Sequence, residues 1–170
     1  MKNLFLVRHA KSSWKYKKLT DLERPLNERG KRDAPFMGKV LSRQKIKPDI
    51  IMSSPANRAL STAKFFCDEI DFTFENVKIQ SELYMADSEE LLEVIGNIEA
   101  VANTVMIFSH NPGITDLYNR LSDEYIENIP TCGIAGIQFS EESWKELKNN
   151  SGHLLFFEYP KKYFSNKKDS

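Results

Sequence analysis

The chain has 170 residues, 41% of them hydrophobic and 28% charged, and its 24 Lys and Arg balance 24 Asp and Glu to a formal net charge of zero. That length fits one compact domain able to bury a core without staples. A neutral balance argues against a non-specific nucleic-acid binder, which needs a basic excess to release counterions. Cys67 and Cys132 are too far apart for a CxxC pair, so they supply neither a thiolate zinc site nor a disulfide framework. No apolar run approaches the roughly 18 residues of a membrane span. The run at 4–7 is ended by Arg8 and His9 too early for a signal peptide. The expectation is a soluble cytoplasmic protein with no membrane or nucleic-acid partner.

Apolar runs alternate with helical spacing, the pattern of an α/β protein with a parallel sheet. Residues 3–7 (NLFLV) read as a buried first strand, followed by a polar loop through Lys11, Ser13 and Asp21 to Arg24. Ala34, Met37, Gly38 and Leu41 then recur at helical spacing. Asn27 is a candidate cap for that helix, while Gly30 and Pro35 argue for an irregular start. Residues 50–53 (IIMS) read as the second strand. Ser54 is a candidate N-cap there, with Pro55 at the first helical position, where a missing N–H costs nothing. Ala56, Ala59, Leu60, Ala63 and Cys67 mark one face of the helix that follows.

A third strand is expected to include Val77 and Ile79. Asp87-x-x-Glu90 has the form of a capping box, opening a helix with Leu91, Ile95, Ile98 and Ala102 on one face. Residues 104–109 (TVMIFS) read as the fourth strand, ending in the turn His110-Asn111-Pro112-Gly113 and a helix through Leu117 and Leu121. Residues 134–139 and 154–159 read as two further strands. Between them Ser140 is a candidate cap for a short helix carrying Trp144 and Leu147. With no internal repeat or linker, the expectation is a single domain over 1–160 and a basic tail over 161–170 that frays.

Arg8 and His9 directly follow the first strand, Arg58 stands in the first helical turn after the second, and His110 directly follows the fourth. In a parallel sheet all of these lie at the carboxyl edge, where open α/β folds bind ligands. The residue types suit a phosphoryl group. A guanidinium presents a planar fork to two phosphate oxygens and keeps its charge. Histidine titrates near neutrality, so one ring can be a neutral nucleophile and another a protonated donor. The helix that carries Arg58 adds backbone dipoles. Each residue alone has a plain structural reading, and it is their joint placement after three strands that favours an active site. His153, at a strand start, is left to a structural role.

These residues resemble the histidine phosphatase superfamily, the phosphoglycerate-mutase-like fold. Arg8-His9-Ala10 is similar to its Arg-His-Gly nucleophile motif, departing in the third residue for an alanine still small enough for close approach. Ser54-Pro55-Ala56-Asn57-Arg58-Ala59-Leu60-Ser61-Thr62 is similar to its Ser-Pro-x-x-Arg-Ala-x-x-Thr motif, and Ser109-His110-Asn111 to its second-histidine motif. The short length and Arg24-Pro25-Leu26-Asn27-Glu28-Arg29-Gly30 look most like the compact SixA-type phosphohistidine phosphatases. The resemblance implies a three-layer α/β/α sandwich with a mostly parallel central sheet. It implies His9 as phosphoryl acceptor and Arg8, Arg58 and His110 as catalytic, phosphate-holding residues. Arg24 and Asn111 join them as substrate contacts, although Arg24 reads equally well as a surface residue braced by Asp21 or Glu28.

Larger members carry a general-acid Glu in a Leu-x-Glu motif, where this chain has Leu83-Tyr84-Met85, with Glu82 and Asp87 as nearby carboxylates. A missing acid suits phosphohistidine, whose P–N bond is labile and whose protonated imidazole leaves neutral. The expected activity is a metal-independent phosphohistidine phosphatase without cofactor. It would act on a phosphorylated protein through a phosphohistidine intermediate and release inorganic phosphate. The alternatives are a phosphatase of small phosphate esters and a non-catalytic phosphoprotein-binding module. A metal site built on His9 and His110 has no evident third ligand.

Overall fold

The computed structural model describes residues 1–164. Six strands form one sheet: β1 (Lys2–Arg8), β2 (Ile50–Ser53), β3 (Lys78–Ile79), β4 (Thr104–Ser109), β5 (Ile134–Phe139) and β6 (His153–Glu158). Their order is β3-β2-β4-β1-β5-β6. β1, β2, β3 and β4 run parallel, while β5 is antiparallel to both β1 and β6. The sheet is therefore mostly parallel, and its carboxyl edge collects the ends of β1, β2 and β4.

Among the described residues four helices connect the strands, α1 (Glu28–Arg43), α2 (Asn57–Ile70), α3 (Ser88–Gly96) and α4 (Gly113–Leu121), and a fifth, α5 (Lys161–Phe164), follows β6. Strand alternation sends side chains to two separate cores. Leu4, Leu6, Val105 and Ile107 pack with Leu91, Ile95, Leu117 and Tyr118 on the α3–α4 side. Phe5, Val7, Met106 and Phe108 pack with Met37, Leu41, Ala63 and Phe66 on the α1–α2 side. This makes the three-layer α/β/α sandwich. Burying one such large side chain contributes about 1.5–3 kcal/mol.

Several local expectations are corrected. Asn27 does cap α1, accepting from the Gly30 N–H at 2.9 Å, and Pro35 is accommodated inside the helix. Gly30 is required because a Cβ there would stand 2.2 Å from the Lys11 carbonyl oxygen. α2 starts at Asn57 with Ala56 as its cap, and Ser54 is drawn into other bonds. α3 ends at Gly96, so Ile98 and Ala102 lie beyond it. β3 excludes Val77 and has both residues exposed, as a short edge strand. Ser143, not Ser140, caps the short 3₁₀ turn that carries Trp144, and Leu147 follows that turn. In the expected tail, residues 161–164 form α5, with Tyr163 and Phe164 stacking on Phe36. Residues 165–170 lie outside the described residues.

Candidate active site

A cleft of about 290 Å³ opens at the carboxyl edge of the sheet, and Arg8, His9, Arg24, Arg58, His110 and Asn111 all line it. The six residues singled out from the sequence are thus brought together.

The His9 Nδ1 stands 2.8 Å from the Ala10 carbonyl oxygen. A carbonyl only accepts, so Nδ1 carries the proton and Nε2 carries the lone pair of the neutral ring. Burial lowers the His9 pKa to about 4, the Ala10 carbonyl opposes that shift, and the Arg58 and Arg8 charges add to it. The ring is neutral at physiological pH. The Ala10 N–H donates to Thr62 Oγ1 at 2.9 Å, and that hydroxyl donates to the Arg58 carbonyl at 2.7 Å. Thr62 thereby ties the histidine loop to the helix that carries Arg58.

The Arg58 Nη1 donates to the Asp21 carbonyl at 2.7 Å and its Nη2 to Asp21 Oδ2 at 2.9 Å. Arg24 is buried: its Nε donates to Asp21 Oδ1 at 3.1 Å, its Nη1 to Ser12 Oγ at 2.6 Å, and its guanidinium stacks 3.6 Å over Trp14. Arg24 is both braced by Asp21 and part of the cleft. Tyr84 also donates to the Asp21 carboxylate. These bonds, Tyr84 foremost, hold the Asp21 pKa far below the usual carboxylate range. Asp21 is an anion here and not a proton donor.

His110 lies with its ring centroid 5.3 Å from that of His9, and its Nε2 is 2.7 Å from Ser54 Oγ. Burial lowers its pKa to about 3, with repulsion from His9 and Arg58 adding to the shift and Asp21 opposing it. The Arg8 Nη1 donates to the Ile129 carbonyl at 3.1 Å. Asn111 donates to Asn128 Oδ1 at 2.8 Å and to the Ile129 carbonyl at 2.9 Å, so it braces the cleft wall as well as lining it. Three nitrogens of the site are buried without a hydrogen-bond partner among the described residues: Arg8 Nε, Arg58 Nε and His110 Nδ1.

Glu82 and Asp87, the carboxylates near the expected acid position, do not line this cleft, and Asp87 is spent capping α3 in a capping box with Glu90. Met85 does line it, with a positive φ of 51° and its sulfur 3.9 Å from Arg58 Nη2. Among the described lining residues, Asp21 is the one carboxylate. Its spacing of three residues before Arg24 is the one signal the sequence carries for it, and that spacing points only to a brace for Arg24. Ser54 and Tyr84 were missed as site residues altogether. His153 is exposed and bonds Asp123 away from the site. Among the described residues, no three His, Cys, Asp or Glu side chains are grouped to hold a metal ion. No helix there is long and apolar enough to cross a membrane.

Residues 4–93 match the histidine phosphatase superfamily (branch 1). An uncharacterised chloroplastic protein of Arabidopsis thaliana is 32% identical over 159 residues, covering 89% of this chain and 72% of that one. Phosphoglycerate mutase 1 of Saccharomyces cerevisiae is 33% identical over 73 residues, 42% of this chain and 30% of that one. The fold is shared with the SixA protein of Agrobacterium tumefaciens, at a TM-score of 0.78 and 24% identity over 94% of this chain and 98% of that one. It is also shared with the protein histidine phosphatase SixA complexed with tungstate, at 0.73 and 22% over 91% and 95%. The chain belongs to the histidine phosphatase superfamily.

Proposed function

We propose that this protein is a phosphatase that removes the phosphoryl group from a phosphorylated histidine of a protein substrate, using His9 as nucleophile and needing no metal. The observation that carries the reading is the set of buried, unpaired nitrogens on Arg8, Arg58 and His110 in the cleft that holds His9. A buried unpaired donor costs about 1–3 kcal/mol, and an oxyanion offers the acceptors that relieve it. That a SixA protein of this fold was solved with tungstate, a tetrahedral oxyanion like phosphate, supports the same reading.

The His9 Nε2 lone pair attacks phosphorus in line. The bond from phosphorus to the leaving nitrogen breaks as the new P–N bond forms, and its electron pair goes to the departing imidazole. That imidazole, protonated at its other nitrogen, leaves neutral. Arg8 and Arg58 stabilise the equatorial oxygens, and His110, protonated once an anion is bound, adds a donor. Water then attacks phospho-His9, orthophosphate departs, and Nε2 regains its pair. Asp21, an anion at the cleft, is no acid for an alkoxide, which favours the phosphoramidate over a simple ester. The small-ester reading is set apart by kcat/KM for a phosphohistidine peptide against an alkyl phosphate. The nucleophile is tested with His9→Ala in single-turnover labelling. The parent protein should gain acid-labile, base-stable radiolabelled phosphate and the folded variant none. Normal turnover by His9→Ala would overturn the assignment.

A further inference from the structure

Beside the reaction cleft lies a second one of about 230 Å³, whose lining includes Arg8, Lys11, Arg29, Asn128, Thr131 and Lys161. Arg8, Lys11 and Thr131 line both clefts, so the two are contiguous. Four cations converge from separate parts of the fold: the end of β1, the loop after it, the first turn of α1 and the start of α5. Among the described residues, no carboxylate lines this cleft. Arg29 lies 3.6 Å from the buried Asp33, but that carboxylate is also paired to Arg32 at 2.9 Å, so Arg29 is only partly neutralised. Lys11 and Lys161 have no ion-pair partner among the described residues. In a chain of zero net charge this is a local concentration of positive potential, of the kind that recruits anions.

The wall between the clefts is built before any ligand arrives. Asn128 Oδ1 accepts from Asn111, the Ile129 N–H donates to Thr115 Oγ1 at 3.1 Å, and the Cys132 N–H bonds the Arg8 and His9 carbonyls at 3.0 Å. The Asn128 amide N–H₂ and the Thr131 hydroxyl remain as donors beside the cations.

We propose that this second cleft is a subsite for carboxylates of the polypeptide segment flanking the phosphorylated residue, so that the enzyme selects substrates whose phosphohistidine lies among acidic side chains. The proposal rests on the protein-phosphatase reading above. Cations carried on four separate elements suit several dispersed carboxylates better than one compact group, which a single guanidinium fork would hold.

The test uses the full chain and the Arg29→Gln/Lys161→Gln double variant, with Lys161→Gln alone in reserve because Arg29 also touches buried Asp33. Two phosphohistidine peptides are compared, alike except for aspartates or serines at the flanking positions. The parent should prefer the acidic peptide by about fivefold to tenfold in kcat/KM, through KM, as a few exposed ion pairs supply. The double variant should lose that preference while hydrolysing p-nitrophenyl phosphate normally. A second arm measures inhibition of p-nitrophenyl phosphate hydrolysis by an unphosphorylated hexaglutamate peptide, which should weaken by a similar factor in the variant. If neither phosphopeptide is hydrolysed but hexaglutamate inhibition still depends on Arg29 and Lys161, the subsite stands and the phosphohistidine reading falls. If both peptides are hydrolysed equally and inhibition is unchanged in the variant, the subsite falls and the phosphatase reading stands. A variant retaining the acidic preference also overturns the subsite.

Discussion

One wall of the reaction cleft, the loop between β1 and α1, is held by ions, whereas another, residues 126–132, is held chiefly by neutral amides and hydroxyls, with one bond from Arg8 Nη1 to the Ile129 carbonyl. On the first, a single carboxylate, Asp21, gathers Arg24, Arg58 and Tyr84. On the second, Asn119 exchanges two bonds with the backbone of Ile126, at 2.7 and 2.8 Å, and Thr115 takes the Ile129 N–H. The division has a physical consequence. The ionic wall fixes the guanidiniums that would meet the substrate, and its strength depends on charge and salt. The neutral wall is a rigid backstop whose bonds do not change between pH 5 and 8.

The largest effect should come from altering an ionic-wall residue that meets the phosphoryl group. Arg58→Lys keeps the charge but loses the planar fork, so one group can no longer hold both Asp21 and an oxyanion. Turnover should fall by on the order of 10²-fold or more, as when one preorganised donor is removed, and vanadate affinity should fall with it. A near-normal Arg58→Lys enzyme would mean that the fork is not what holds the anion.

Asp21→Asn separates positioning from charge. The amide retains one acceptor but releases Arg24 and Arg58 from a shared anion, so kcat should fall roughly tenfold through misplacement. The cleft also gains a positive charge, so inorganic phosphate should inhibit at lower concentration. The two readouts move in opposite senses, which a general loss of structure would not produce. An unchanged kcat would show that Asp21 does not position the arginines.

How much of this contrast was legible in the sequence follows from the range of the interactions. Ile50–Ser53, Thr104–Ser109 and Ile134–Phe139 read directly as strands because both faces of a central strand are apolar. His9, Arg58 and His110 were legible because strand ends place them at one edge whatever the loops do. The antiparallel course of β5 was not, since an apolar run carries no direction. Nor was the bond from Asp21 to Arg58, which joins residues 37 apart through a loop whose path depends on Gly30 meeting the Lys11 carbonyl. The second basic cleft was equally hidden: Lys161 fell in a tail expected to fray, and it lines the cleft beside Arg29 with α5 packed on Phe36 and bonded to Glu158.

The neutral wall should respond in stability more than in rate. Asn119→Ala removes both bonds to Ile126 and leaves a backbone donor and acceptor unpaired in a half-buried place. That should cost about 2 kcal/mol and lower Tm by roughly 4–8 °C for a chain of this size, while kcat changes less than it does in Asp21→Asn. Thermal unfolding beside steady-state kinetics checks this. A kinetic loss as large as that of Asp21→Asn would erase the proposed division of labour.

The smallest effect concerns the histidines between the walls and separates their titration from that of Asp21. His9 and His110 have folded-state values of about 4 and about 3, against 6.5 for a free imidazole. As pH falls from 7 towards 4.5, the unfolded chain takes up protons on both rings and the folded protein does not, so stability declines with acid. The loss is roughly 1 kcal/mol per histidine between pH 7 and 5.5. Asp21 acts in a lower window. Its folded pKa is depressed below an unfolded value of 3.8, so its contribution is fully present above about pH 4 and is lost only as pH falls further. Denaturant midpoints measured from pH 7 to 5 should therefore drop in the parent and drop about half as steeply in His9→Ala, while Asp21→Asn keeps the parent slope. Histidine NMR titration should show both rings neutral at pH 5.5, with the proton of His9 on Nδ1. A His9 ring titrating near 6.5 would remove the buried neutral nucleophile on which the phosphatase reading depends.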